Sequence, residues 1–170
     1  MEALLEALAH DNLVALKKIL DTGEVDLTRE VIMGAEYELD EPDEVPLLFF
    51  AISSGVSLEA IEMLVDAGVD IHAVSREGVG ALDIAIKYKR MDIIELCDRH
   101  GVSLLESRRK SGITPLILAA SFNDMEIVTY LLSKGASVED TDKYGMTAAA
   151  YAKRMGQKKM LEFLGSQATS

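Results

Sequence analysis

The residues best suited to catalysis or metal binding are three histidines and one cysteine, and their spacing argues against both roles. His10, His72 and His100 lie far apart along the chain, and none is paired with Cys97 or another histidine at the spacing of a zinc site. The sequence has no phosphate-binding glycine loop, nucleophile elbow or calcium loop. We therefore predict no catalytic residue, no metal and no cofactor.

Length and composition indicate a helix-rich protein with a sizeable core. The chain has 170 residues, of which 49% are apolar, and a formal net charge of −12. So acidic a chain is poorly suited to nucleic acid, because each phosphate contact requires a Lys or Arg side chain. The first residues do not resemble a signal peptide, and no run of about 18 apolar residues could span a bilayer. We predict a monomeric, cytoplasmic protein that binds neither nucleic acid nor membrane.

The charge is unevenly distributed along the chain. Residues 1–70 contain 17 acidic and 3 basic side chains, whereas residues 71–170 contain 12 acidic and 14 basic ones. The net charges of these segments are therefore −14 and +2. The electric field of this uneven charge distribution would steer a basic partner toward the N-terminal half. An acidic surface that simply keeps the protein soluble would explain the total charge, but explains the asymmetry less well.

Two landmarks recur with a period of 33 or 34 residues. Glycines at 78, 112 and 145 each open a block of similar sequence, and glycines at 68, 101 and 135 each follow an apolar helical run. Within one block, apolar residues of 114–132 follow two short helical patterns, and Asn123-Asp124 between them suits a turn and a helix start. Helices this short need neighbouring units to bury their apolar faces.

The best-formed unit carries a family resemblance. The stretch Gly112-Ile-Thr-Pro-Leu-Ile-Leu-Ala-Ala, followed by Asp124-Met-Glu-Ile-Val-Thr-Tyr-Leu-Leu-Ser-Lys-Gly135, resembles an ankyrin repeat, which has a Thr-Pro-Leu-His pattern and a 33-residue period. The whole chain is similar to small, stand-alone, bacterial-type members of this family. The resemblance implies an all-α fold, an ankyrin repeat solenoid of about five helix–turn–helix repeats with hairpin-like loops.

The period divides this single predicted domain into repeats. The divisions are 1–27 (N-terminal capping repeat), 28–43 (acidic insertion), 44–75, 76–108 and 109–141 (internal repeats), and 142–166 (C-terminal capping repeat). The repeat beginning at residue 44 has two extra residues between its predicted helices, near Ser54. No repeat keeps the family's histidine, whose place is taken by Leu48, Asp83, Ile117 and Ala150. Cys97 occupies the place of Leu131 one repeat later, so we predict a buried, unreactive thiol.

The acidic insertion interrupts the period with about nine extra residues. It contains four carboxylates that we place among the candidate partner contacts: Glu36, Glu38, Asp40 and Glu41. Extra residues in repeat proteins form loops, often on the binding face. The alternative is a solvated acidic loop with no partner.

The resemblance also implies where a partner would bind, since ankyrin proteins use their loop tips and first helices, which line a concave face. Matching positions give a tip column of Arg76, Lys110 and Lys143, with Tyr144 beside the last, and a helix column of Lys87, Ser121 and Arg154. A further column contains Ser53, Tyr88, Phe122 and Met155. Two aromatic residues one repeat apart on an exposed face suggest a binding stripe. The alternative is that both rings fold back over neighbouring loops as additional core.

These features favour a non-catalytic protein–protein interaction module that binds another protein on its concave face. Tyr88, Phe122 and Met155 would be the apolar anchors, with flanking charge from Arg76, Lys87, Lys110, Lys143 and Arg154. The alternative function is an immunity or inhibitor protein, which would occlude a basic toxin or enzyme through its acidic N-terminal half. The identity of the partner is not readable from the sequence.

Overall fold

The computed structural model describes residues 1–32 and 44–168, and these residues form helices joined by turns and short hairpins. They divide into two compact units, Met1–Ser75 and Arg76–Ser170. The division falls at the boundary that the sequence period predicts between the repeats 44–75 and 76–108. The predicted all-α fold of paired helices is confirmed.

The first unit contains two helix pairs and one small hairpin. Its helices are α1 (Glu2–Ala9), α2 (Leu13–Thr22), α3 (Leu47–Ser53) and α4 (Leu58–Asp66). The strands β1 (Val31–Ile32) and β2 (Glu44–Val45) pair antiparallel, with Val31 opposite Val45. Thus the described start of the predicted insertion 28–43 is joined by backbone pairing to the first residues of the repeat 44–75.

The second unit contains three helix pairs. They are α5 (Ala81–Lys87) with α6 (Met91–Arg99), α7 (Pro115–Ser121) with α8 (Met125–Ser133), and α9 (Ala148–Arg154) with α10 (Lys158–Ala168). Each first helix packs against the second helix of its own pair, and α7 packs between α5 and α9. Helix α10 extends two residues beyond the predicted end of the last repeat, at 166.

Small residues allow the first helices of the second unit to pack closely. Ala85, Ala119, Ala120 and Ala152 are completely buried on α5, α7 and α9. The second helices contribute larger core side chains, including Ile94 and its neighbours on α6 and α8. Because each helix has only seven to eleven residues in this unit, its stability comes from this packing rather than from its own hydrogen bonds.

Short polar side chains begin several helices. The hydroxyl groups of Ser57, Thr114 and Thr147 accept hydrogen bonds from backbone amides three residues later. Asp124 does the same for α8, with 3.0 Å between its Oδ1 and the amide nitrogen of Ile127, as the sequence predicts. Each such cap satisfies an amide that has no partner within its helix.

The repeat-opening glycines allow successive hairpin tips to stack in the second unit. Gly78 and Gly112 have φ angles of 81° and 72°, in the left-handed region. A Cβ atom on Gly78 would overlap the backbone carbonyl of Arg108, and one on Gly112 would lie 2.8 Å from the amide nitrogen of Lys143. Both glycines are therefore required by their neighbours as well as by their own backbone conformation.

Two details differ from the sequence prediction. The turn between α3 and α4 has one extra residue, not two, because α4 begins at Leu58, and the extra residue, Val56, is buried. Where the family pattern has threonine and histidine, the carboxylate of Asp83 accepts a hydrogen bond from the backbone amide of Gly80, at 2.8 Å. Burial raises the pKa of the Asp83 carboxyl above its usual value.

Candidate functional site

The turns between paired helices share one geometry in all five pairs. A single cap residue follows each first helix. The residue after the cap has a φ angle between 47° and 74° and reverses the chain. These left-handed residues are Asp11, Gly55, Lys89, Asn123 and Gly156. The residue just before each of them, at the end of the first helix, is therefore equivalent in all pairs: His10, Ser54, Tyr88, Phe122 and Met155.

We call Tyr88, Phe122 and Met155 the apolar stripe. They end the three neighbouring helices α5, α7 and α9, so the structure brings them into one row in the second unit. Tyr88 is half-buried, whereas 37% of Phe122 and 56% of Met155 are exposed. The stripe therefore presents apolar side chains to solvent and is not sealed into the core.

A hydrogen bond fixes the distance between the last two turns. The side-chain amide of Gln157 donates to the backbone carbonyl of Ser121, at 3.0 Å. Gln157 directly precedes α10 and Ser121 is the last residue of α7, so the bond joins consecutive repeats close to Phe122 and Met155 in the chain. Anchors held by short helices and such bonds lose little conformational freedom when a partner binds.

Lys87 and Arg154 directly precede Tyr88 and Met155 in the chain, and together with Arg76, Lys110 and Lys143 of the hairpin tips we call them the basic rim. The ammonium group of Lys87 lies 5.7 Å from the centre of the Tyr88 ring. At the hairpin tips, Lys143 lies 5.1 Å from the Tyr144 ring, which is 72% exposed. Lys110 forms a 3.4 Å ion pair with Glu77. Arg76 and Arg154 are exposed.

The last hairpin tip is held by a buried carboxylate. Asp142 accepts hydrogen bonds from the Tyr151 hydroxyl and from the backbone amides of Tyr144 and Met146. The Tyr151 hydroxyl bond holds the pKa of Asp142 below its usual value, and the same bond raises the pKa of Tyr151. This network fixes the loop from which Tyr144 projects into solvent.

Comparison with known proteins identifies the repeats. The family model described as ankyrin repeats (3 copies) matches residues 96–169. The chain is also 28% identical over 141 residues to the putative ankyrin repeat protein YahD of Escherichia coli, covering 79% of this chain and 70% of that protein. These matches show that the chain contains ankyrin repeats. Ankyrin repeats generally mediate binding between proteins and are generally non-catalytic.

Other relatives are much longer than this ankyrin chain. It is 29% identical over 127 residues to the glycerophosphocholine phosphodiesterase gde1 of Schizosaccharomyces pombe, covering 75% of this chain and 11% of that protein. It is 32% identical over 94 residues to the neurogenic locus notch homolog protein 2 of Homo sapiens, covering 55% of this chain and 4% of that protein. The chain thus spans only a small part of these relatives, so their names describe far larger proteins.

The ankyrin turns also correct the predicted columns. Ser54, rather than Ser53, is equivalent to Tyr88, because Ser54 directly follows α3 as Tyr88 directly follows α5. Sequence reasoning missed Lys89, an exposed basic residue in the left-handed position beside the stripe. Its alignment with Asn123, a residue type common in that conformation, is the signal that could have drawn attention to it.

The four candidate carboxylates of the acidic insertion, Glu36, Glu38, Asp40 and Glu41, lie outside the described residues. Their role as partner contacts stays a prediction.

The residues considered for chemistry are dispersed across the ankyrin repeats. His10 and His100 end α1 and α6, and His72 is exposed in the loop after α4. Cys97 is completely buried, as predicted; burial is the main cause that raises the pKa of its thiol to about 12. Within residues 1–32 and 44–168, no group of three His, Cys, Asp or Glu side chains could hold a metal ion. Nor is any helix in these ranges long and apolar enough to cross a membrane.

Proposed function

We propose that this ankyrin repeat protein is a non-catalytic module that binds another protein through the apolar stripe and the basic rim. The observation that carries the proposal is the comparison of equivalent turns. The fold accepts His10 and Ser54 at the position where the second unit has Tyr88, Phe122 and Met155. Three large apolar residues there are not required by the turn, so binding is the better explanation for them.

The energetics of the stripe fit an interface. Burial of apolar surface contributes about 25 cal/mol for each Å² removed from water. Phe122, Met155 and Tyr144 all keep a large exposed fraction that a partner could cover. Aromatic residues are enriched among those that dominate binding energy at protein interfaces. The ring of Tyr88, with Lys87 above it, could contact both an apolar group and a charged one.

Capture experiments with stripe variants test the proposal. The double variant Tyr88→Glu with Phe122→Glu places two charges on the stripe and should lose the protein that the unchanged chain captures from cells of its source organism. Leu105→Glu is the matched control, since Leu105 is 38% exposed, close to the 37% of Phe122, but lies in the loop after α6. It should retain capture. Helical circular dichroism should be the same for all three proteins.

Retained capture by the double variant, with helicity intact, would refute the stripe as the binding surface. Equal loss in the double variant and in Leu105→Glu would also count against it, because a general effect of added charge would then explain both.

A second candidate function rests on the charge of the first unit. Its segment 1–75 contains 17 acidic and 3 basic side chains. An inhibitor or immunity protein could use such a surface to occlude a basic toxin or enzyme. Association with a basic target would slow steeply between about 0.05 and 0.5 M salt, because long-range attraction is screened. Neutralising Glu59 and Glu62 to Gln would slow it further, whereas stripe variants would leave it unchanged.

A further inference from the structure

The acidic and basic side chains of the second unit are unevenly distributed along the chain. Its segment 76–170 contains 14 basic and 12 acidic side chains, and the second helices α6, α8 and α10 hold several of the acidic ones. The acidic residues at the hairpin tips and first helices are already engaged. Glu77 pairs with Lys110, Asp142 accepts bonds from Tyr151 and two amides, and Asp83 is largely buried and bonded to Gly80. Within two residues of the apolar stripe in the chain, one side chain, Asp124, is acidic and five are basic: Lys87, Lys89, Arg90, Lys153 and Arg154. The chain around the stripe is therefore predominantly basic.

Lys89, which directly follows Tyr88 of the stripe, adopts an unfavourable backbone conformation. Lys89 has a φ angle of 56°, a left-handed conformation that is unfavourable for most residues other than Gly, Asn and Asp. The other four turns use Asp11, Gly55, Asn123 and Gly156, which adopt this conformation more easily. Strain that persists at one of several equivalent positions points to a functional use of the side chain.

The spacing of the stripe restricts what can bind along it. Its three residues end adjacent packed helices, and the axes of packed helices lie about 8–10 Å apart. An extended polyproline II segment has three residues per turn and advances about 3.1 Å per residue, so every third side chain lies on one face at about 9 Å intervals. Its repeat therefore matches the repeat of the stripe.

We propose that the occupant of this surface is an extended, acidic segment of another protein, with an apolar side chain at every third residue. This inference rests on the proposed function and adds the chemistry of the partner. The apolar side chains contact Tyr88, Phe122 and Met155 in turn. The carboxylates between them pair with the basic rim and with Lys89, which directly follows Tyr88.

Selection from a peptide library tests this inference without knowledge of the natural partner. Random peptides about twelve residues long, which span the stripe when extended, are selected on the full chain at physiological salt. We expect enrichment of Asp and Glu, and apolar residues that recur at every third position. The dissociation constant of the selected peptides should rise about tenfold or more when salt is raised to about 0.5 M.

Charge reversal identifies the surface that recognises the peptides. The variant Lys143→Glu with Arg154→Glu should bind selected peptides about tenfold more weakly than the unchanged chain. Lys17→Glu with Lys18→Glu is the control, since it makes the same change in net charge on exposed positions of α2 in the first unit. Its affinity should stay within about twofold.

Several outcomes would overturn the inference: selected peptides that are basic or uncharged, no selected peptides, apolar residues at helical spacing, or equal effects of the two charge-reversed variants. Binding of a thymidine oligonucleotide of similar length with equal affinity would overturn it in favour of single-stranded nucleic acid. If stripe variants abolish capture but the selected peptides lack acidic residues, only this inference fails. If stripe variants leave capture intact, the proposed function fails as well.

Discussion

The two units form the same turn between paired helices with different side chains. At the end of each first helix, the unit Met1–Ser75 has His10 and Ser54, whereas the unit Arg76–Ser170 has Tyr88, Phe122 and Met155. The backbone that follows is left-handed in every case. Because polar and apolar residues occupy equivalent places, the turn itself does not dictate their type. The difference therefore indicates a role for the second unit that folding does not require.

Charge separates the units in the same way. The segment 1–75 has a net charge of −14, and the segment 76–170 has a net charge of +2. Two binding modes follow from this contrast, one through an acidic surface and one through an apolar stripe with a basic rim. Variants placed at equivalent positions of the two units can separate these modes.

The largest effect is expected for the reaction rate of the Cys97 thiol, which tests whether helix α6 stays packed in the core. With a pKa of about 12, its thiol is almost fully protonated at pH 8. The folded protein should react with a thiol-specific dye on the order of a thousandfold more slowly than the protein in denaturant. Comparable rates would show that this part of the second unit opens readily, which would contradict a rigid binding surface.

The stacked tips should be the next most sensitive feature. In Gly78→Ala, the new Cβ atom would overlap the carbonyl of Arg108, so we expect the free energy of unfolding to fall by more than about 2 kcal/mol. Gly145→Ala is the matched control, because Gly145 has a similar φ of 76° but no atom within 4 Å of the added Cβ. It should cost only about 1–2 kcal/mol. Urea titrations measure both, and equal losses would argue against close stacking.

A comparison of two phenylalanines decides whether the stripe is core or surface. Phe49 in the first unit is 2% exposed, whereas Phe122 is 37% exposed. Phe49→Ala should lower the free energy of unfolding by about 3–5 kcal/mol. Phe122→Ser, which installs the residue type of the equivalent Ser54, should lower it by only about 1–2 kcal/mol, because part of the ring is already exposed. Similar losses in urea titrations would mean that Phe122 belongs to the core, and the stripe would lose its main support.

The smallest effect is expected at Lys89. Replacement by Gly should raise the free energy of unfolding by roughly 0.5–1 kcal/mol, because it relieves the left-handed strain. The same change should weaken binding of the selected acidic peptides a few-fold, since one positive charge is lost. Greater stability with unchanged peptide affinity would remove Lys89 from the binding surface. Lys18→Gly, at an exposed position of α2 in the first unit, controls for the loss of a lysine and should leave peptide affinity unchanged.

The period of the sequence predicted the helix pairs well, because glycines and small residues at fixed spacing mark turns and close packing. The period could not predict the length of the turn between α3 and α4, because the burial of its extra residue, Val56, depends on tertiary contacts. Nor could it predict that Asp83 would replace the family's polar pair by bonding to Gly80. The candidate partner residues, including the basic ones, were predicted from the sequence, but the bonds that engage Glu77, Asp83 and Asp142 depend on tertiary contacts and could not be. Location in the cytoplasm stays a prediction.

Site-specific photo-crosslinking in cells of the source organism tests the central claim most directly. A benzophenone amino acid replaces Met155 in one variant and the equivalent Ser54 in another, both at exposed positions. If the second unit carries the binding surface, illumination should join the Met155 variant to one defined protein and leave the Ser54 variant without that product. Equal products from both variants, or a product from the Ser54 variant alone, would contradict the account.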